Sequence, residues 1–142
     1  MRILIADNDE VLLELIEPYL RKRGHEAQFA SQGLECVACL HRSTPDVIVL
    51  SHDLLWGGCH GILAELQDDP LLSRIPVILI ADSREEFDAL SDTTVVAWLQ
   101  KPFHLSSLMQ EIISAFSHSQ KIREESLDPD IDDLANSPLA VV

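Results

Sequence analysis

Basic residues are scarce in this chain: 10 Lys and Arg face 24 Asp and Glu, a net charge of −14 over 142 residues. A surface this acidic repels phosphate backbones, which argues against direct binding of DNA or RNA. It suits a protein that binds other proteins or divalent cations. Cysteine is nearly absent too. Cys36, Cys39 and Cys59 are too few and too irregular for a disulfide framework. Cys36 and Cys39 stand three apart on an expected helix, but no second pair completes a metal site, so they read as helix-face thiols. No apolar run approaches the roughly 18 residues of a membrane span. The start, "MRILIADNDE", carries one Arg and meets acids almost at once, unlike a signal peptide. The expected location is cytoplasmic, with no membrane partner. No internal repeat is visible.

What is present is an alternation of apolar runs and amphipathic stretches. "RILIA" (2–6) suits a strand buried on both faces, and "DND" ends it. From Glu10 to Arg23, Val11, Leu12, Leu15, Ile16, Tyr19 and Leu20 recur at helical spacing, with Pro18 expected to kink or loosen the helix and Gly24 to stop it. "HEAQFA" reads as a second strand. Gly33 to His41 reads as a second helix with Leu34, Val37, Ala38 and Leu40 inward. Pro45-Asp46 opens a third strand from Val47 to about Ser51, and Ile62 to Gln67 forms a third helix. "IPVILIA" (75–81) is another buried strand, and "SREEFDALS" a short fourth helix capped by Ser83. "VVAWL" (95–99) makes a fifth strand, followed by "QKPF" and a last helix from Leu105 to about Ser117. Five such alternations argue for a parallel sheet covered on both faces. From Ser119 the chain turns acidic, with two prolines and no sustained period. Residues 1–118 are therefore expected to fold and 119–142 to form a disordered tail, apart from a brief helical turn near 122–127.

Three strand ends bring polar groups to the carboxyl edge of that sheet, where open α/β sheets place their chemistry: Asp7-Asn8-Asp9, Ser51-His52-Asp53 and Lys101. Carboxylates there could hold a divalent cation, and the lysine could balance a phosphoryl oxygen.

Residues 1 to about 118 resemble the receiver domain of bacterial two-component response regulators. The resemblance rests on the acidic turn after "RILIA", the strand "PDVIVL", "IPVILIA", and "KPF" after "AWLQ", in that order and spacing. It implies a doubly wound, flavodoxin-like three-layer α/β fold with a five-stranded parallel sheet in the order 2-1-3-4-5. It also implies phosphorylation of an Asp on the third strand by a histidine kinase, with Mg²⁺ on the first-strand acids. Matched position by position, the site is degenerate. Asp7 stands at the first acid of the family pair, but Asn8 stands at the second. Lys101 matches the family lysine, and Pro102 the proline joined to it by a typically cis bond. Ala81 replaces the Ser or Thr that senses the phosphoryl group, and Trp98 holds the position of the switching aromatic.

The acceptor itself is ambiguous. Counted forward from Pro45-Asp46 it is Ser51; counted backward from Gly61 it is Asp53. The segment is longer than the family's by two residues, and a central strand resists insertion while the loop "LLWGGCHG" tolerates it, which favours Ser51. A carboxylate attacks a phosphohistidine directly, whereas a serine needs a base, and His52 is expected on the opposite face. Two readings follow. In the first, the chain is a pseudo-receiver, a non-enzymatic interaction module. It meets a histidine kinase or a downstream regulator through its fourth helix, fifth strand and fifth helix, as a monomer or weak homodimer. Trp98 is either an anchor on that face or a packed ring. In the second, Asp53 is a working phosphoacceptor with Mg²⁺. Under either reading Asp7, Asn8 and Asp53 are the metal residues, and the lost carboxylate implies at most weak Mg²⁺ binding. A flavodoxin-like small-molecule binder is disfavoured, since no glycine-rich phosphate loop follows the first strand.

Overall fold

The computed structural model describes residues 1–55, 58–88 and 94–136, with side chains to Glu124. Trp56 and Gly57 of the long loop, the end of the expected fourth helix beyond Asp88, and the last six residues of the tail lie outside the described residues. Strands and helices alternate as β1 (Arg2–Ala6), α1 (Glu10–Lys22), β2 (Glu26–Ala30), α2 (Gly33–Arg42), β3 (Val47–Ser51), α3 (Gly58–Asp68), β4 (Val77–Ala81), α4 (Arg84–Asp88), β5 (Val95–Gln100) and α5 (Leu105–Asn136). All ladders are parallel and the sheet runs β2-β1-β3-β4-β5, the expected order.

Strand alternation divides the core in two. Leu4, Ala6, Ile48, Leu50 and Leu79 pack against Cys36, Leu40, Ile62 and Leu66 of α2 and α3. Ile3, Ile5, Val47, Val49, Ile78 and Ile80 pack against Ile16, Leu20, Leu108 and Ile112 of α1 and α5. β3 and β4 are buried along their whole length, which is why their sequences are unbroken apolar runs rather than alternating ones. At the sheet's carboxyl edge, α1 starts with Asp9 as N-cap, its carboxylate accepting from the Leu12 N–H at 3.2 Å. Helix α1 runs on through Pro18 as one element and stops at Gly24, whose φ of 81° suits glycine.

Three expectations are corrected. Helix α3 starts at Gly58 rather than Ile62, so the last four residues of "LLWGGCHG" belong to the helix and not to the loop. On α2 the buried residues are Gly33, Cys36, Cys39 and Leu40, while Leu34 and Ala38 are exposed. The buried stripe follows 3-, 3- and 1-residue steps around the two thiols, and Leu34 lies a third of a turn off it. The last helix does not stop near Ser117 but continues to Asn136, so residues 119–136 extend α5 instead of starting an irregular tail. Once Leu108, Ile112 and Ala115 have anchored the helix, "SQKIREESL" offers good helix formers and propagation needs no new nucleus.

The buried Cys36 thiol gives a pH prediction. Burial, then the nearby Cys39 and Glu35, push its pKa from 9.0 up to about 12. The unfolded chain therefore loses this proton first, so the stabilising contribution is complete below pH 9.0 and is lost as pH rises toward about 12. Urea midpoints of the wild type should fall more steeply over that window than those of Cys36→Ala, and equal slopes would show the thiol to be accessible.

Candidate functional site at the carboxyl edge of the sheet

The β1–α1 turn supplies Asp7, Asn8 and Asp9. Asp7 is almost fully buried, and its Oδ1 accepts from the Asp9 N–H at 3.0 Å. Its Oδ2 lies 2.9 Å from Lys101 Nζ, yet accepts no hydrogen bond of good geometry. Lys101 thus meets Asp7 as a point charge rather than as an aligned donor. Lys101 is held at the end of β5 by its own N–H, which donates to the Ala81 carbonyl at 3.0 Å, and its peptide bond to Pro102 is cis, as the resemblance implied.

Asn8 does something the sequence did not announce. Its Nδ2 donates to the Asp53 carbonyl at 2.5 Å and its Oδ1 accepts from the Leu55 N–H at 3.0 Å. One side-chain amide therefore clamps the β3–α3 loop to the β1 tip. Its partners lie 45 and 47 residues away, and an Asn-for-acid exchange in the turn was the single signal available.

Ser51 is the last residue of β3, buried, and in register with Ile80 of β4. Because Ala6 pairs with Leu50, Asp7 and Ser51 follow side by side at the ends of adjacent strands. Neither ladder of β3 has a register shift; the one irregularity in the sheet lies between Val77 and Ile78 in the β4–β5 ladder. Ser51 Oγ accepts from the Asp53 N–H at 3.3 Å, and no histidine among the described residues touches it. Asp53 lies past the strand, its carboxylate 56 % exposed and 3.5 Å from His52 Nδ1. His52, expected on the face opposite Ser51, sits between that carboxylate and Glu86 Oε2, 3.4 Å away. Ala81 is buried at the end of β4. Trp98 is half-buried and stacks on Phe87 of α4, with ring centroids 5.6 Å apart and planes 15° from parallel. Phe87 had no distinguishing sequence signal beyond lying in a short polar helix.

These donors fit Mg²⁺ poorly as arranged. A hard divalent cation takes several oxygen ligands, favouring carboxylates. Here Asp7 alone offers a buried carboxylate, already balanced by Lys101; the Asn8 oxygen faces an N–H dipole, and the Asp53 carboxylate is turned to His52. Asp9 is occupied as a helix cap.

A five-stranded 2-1-3-4-5 sheet with acid, lysine and strand-end residues gathered at one edge defines a receiver-type α/β domain. The chain belongs to the response regulator receiver domain family, which residues 3–113 match. It is 30 % identical over 115 residues to the protein PilH of Pseudomonas aeruginosa, covering 78 % of this chain and 93 % of that one. It is 27 % identical over 128 residues to a probable transcriptional regulator, ycf29, of Pyropia yezoensis, covering 89 % of this chain but only 57 % of that protein. Among solved structures, a CheY-like receiver domain protein from Methanospirillum hungatei superimposes with a TM-score of 0.76 at 20 % identity, covering 84 % of this chain and 96 % of that one. The receiver domain of a sensor histidine kinase from Pseudomonas aeruginosa, solved with magnesium in its active-site cleft, gives 0.72 at 21 % identity, covering 82 % and 97 %. The chain is thus a signalling module of two-component systems, whose receivers interact with histidine kinases and downstream effectors. No helix among the described residues is long and apolar enough to cross a membrane.

Proposed function

We propose that this chain is an atypical, cytoplasmic receiver that works in a two-component phosphorelay as a protein-interaction module, without conventional Asp phosphorylation and without turnover of its own. The observation that carries this reading is the end of β3. The last ladder-paired residue there is Ser51, a hydroxyl to which no histidine among the described residues is hydrogen-bonded, and the carboxylate two residues on is turned toward His52. In this reading Ser51 holds the acceptor position, Lys101 the phosphoryl-contacting position, and Ala81 and Trp98 the switch positions. Ala81 has no hydroxyl to draw toward a phosphoryl group, and Trp98 is engaged by Phe87. Mg²⁺ binding through Asp7, Asn8 and Asp53 is weak, because two of the three oxygen donors are otherwise committed.

The partner, a histidine kinase or a downstream regulator, meets the α4–β5–α5 face. Val96 and Ile113 are exposed on β5 and α5, apolar side chains of the sort that anchor a protein contact. The chain acts as a monomer or weak homodimer.

Intact-mass spectrometry after incubation with acetyl phosphate and Mg²⁺ tests the reading. The wild type is expected to gain no phosphoryl adduct, and Ser51→Asp, which puts a carboxylate beside Asp7 and Lys101, is expected to gain one. A stoichiometric wild-type adduct that Asp53→Asn removes and Ser51→Ala retains would establish Asp53 as a working acceptor instead.

A further inference from the structure

Beside the strand-end pocket, on its α3–α4 side, a second group of side chains converges that neither the receiver fold nor the phosphoacceptor positions require. His52 follows β3, Cys59 and His60 stand in the first turn of α3, and Glu86 lies on α4. A nitrogen of His52, the Cys59 sulfur and a nitrogen of His60 all lie within 4.8 Å of one another. The two imidazole rings stand edge to face with centroids 6.4 Å apart. His52 Nδ1 is turned to the carboxylates of Glu86 (3.4 Å) and Asp53 (3.5 Å), and its Nε2 has no hydrogen-bond partner among the described residues.

We propose that His52 Nε2, Cys59 Sγ and a ring nitrogen of His60 form a binding site for a borderline-soft divalent cation of the Zn²⁺ class, with Glu86 and Asp53 orienting His52 from behind. The donor set excludes the hard cations that oxygen cages select: two imidazoles and a thiolate match Zn²⁺. With Zn–N near 2.0 Å and Zn–S near 2.3 Å, tetrahedral ligands stand about 3.5 Å apart. Small side-chain rotations close the present spacing, and the exposed His60 is free to make them. A carboxylate on the far nitrogen of a ligating histidine fixes its tautomer and raises its basicity, the arrangement His52 already has with Glu86. On binding, the Cys59 thiol loses its proton to solvent and the sulfur–metal bond forms; no oxidant is needed. Until a cation arrives, the thiol's surroundings oppose that loss. Burial raises its pKa above the ordinary value, hydrogen bonds from the Cys59 and His60 N–H groups pull it back, and the Asp53 and Glu86 charges raise it further. A cation here would relieve the last effect directly. Three protein ligands leave one position for water or for a side chain from a partner.

The site spans the β3–α3 loop, α3 and, through Glu86, α4. Occupancy would brace the same loop that Asn8 clamps and tie it to the helix carrying Phe87. This holds whether Ser51 or Asp53 is the acceptor, so the metal test stands apart from the phosphorylation test.

The full chain, freed of metal by chelation, should be titrated with Zn²⁺ against a chromophoric chelator. One equivalent is expected to bind in the micromolar range or tighter, with no displacement by millimolar Mg²⁺. Co²⁺ in its place should give tetrahedral visible bands and a sulfur-to-cobalt charge-transfer band. His60→Ala, an exposed change, should weaken Zn²⁺ by more than about tenfold, and Glu86→Gln by about tenfold. Cys59→Ser should abolish the charge-transfer band, whereas Cys36→Ser should keep it. If Cys59→Ser fails to fold, His60→Ala decides alone. No stoichiometric binding, equal affinity in the wild type and His60→Ala, or a charge-transfer band that follows Cys36 would each overturn the proposal.

Discussion

Replacing Lys101 with methionine is expected to destabilise the protein by about 3 kcal/mol, the low end of the cost of breaking a buried ion pair. Asp7 cannot follow its partner into water: it is almost wholly enclosed, with its Oδ2 receiving no hydrogen bond and only the Lys101 ammonium 2.9 Å away. Lys101, by contrast, keeps about a quarter of its side chain exposed and can turn to solvent when Asp7 is lost. The two substitutions should therefore be unequal. Asp7→Asn removes the charge and its need for compensation together, and is expected to cost about 1 kcal/mol. The double variant should be more stable than the sum of the single effects predicts, because neither charge is then stranded. Urea unfolding of the three variants measures this. A Lys101→Met cost below about 0.5 kcal/mol would place the pair among ordinary surface contacts.

The second large effect is expected at Asn8. In Asn8→Asp the Asp53 carbonyl loses its donor, and a new carboxylate stands beside Asp7, while the Leu55 N–H keeps an acceptor. Without divalent cations the variant should lose about 1–3 kcal/mol, the cost of a hydrogen bond left unmade. Mg²⁺ should return part of it, since a second carboxylate now shares the hold on a hard cation. At ten times its Kd the ion contributes about 1.4 kcal/mol, visible as a rise in Tm. The wild type should show little shift below millimolar Mg²⁺. A wild-type shift matching the variant's would mean that the Asn8 amide does not limit the metal, and no shift in either would mean that Asp7 and Lys101 alone decide it. Added to Ser51→Asp, the same change should also raise the extent of labelling by acetyl phosphate.

What could be read from the sequence, and what could not, follows from how far apart the partners lie. β1, β3 and β4 were legible because strands buried on both faces must be continuous apolar runs, and Val47–Leu50 or Val77–Ile80 have no other economical reading. Asp7, Ser51 and Lys101 were placed correctly at one edge because a parallel sheet gathers its strand ends there. The face of α2 was misjudged because thiols were discounted as core residues although free cysteine is among the most buried residue types, and Cys36 and Cys39 are both enclosed. The length of α5 was misjudged because acids and Pro129 were weighed as helix breakers, whereas a helix already anchored by packing extends cheaply. Nothing local tells that Asn8 grips backbone groups 45 and 47 residues on, or that His52 would meet Glu86. Those contacts exist only once the loops after β1, β3 and β4 lie side by side.

The length of α5 has a mechanical side. At 1.5 Å per residue its 32 residues span about 48 Å, and the part beyond Ser119 accounts for roughly 25 Å of that. Its first four turns are bedded against β3 and β4 through Leu108, Ile112 and Ala115, where any shift is limited to what a packed core allows. A rod held at one end converts a tilt into a displacement that grows with distance from the fulcrum. Were the helix to stay straight through Pro129, a tilt of a few degrees at the sheet would become a sweep of about an ångström or more at Asn136.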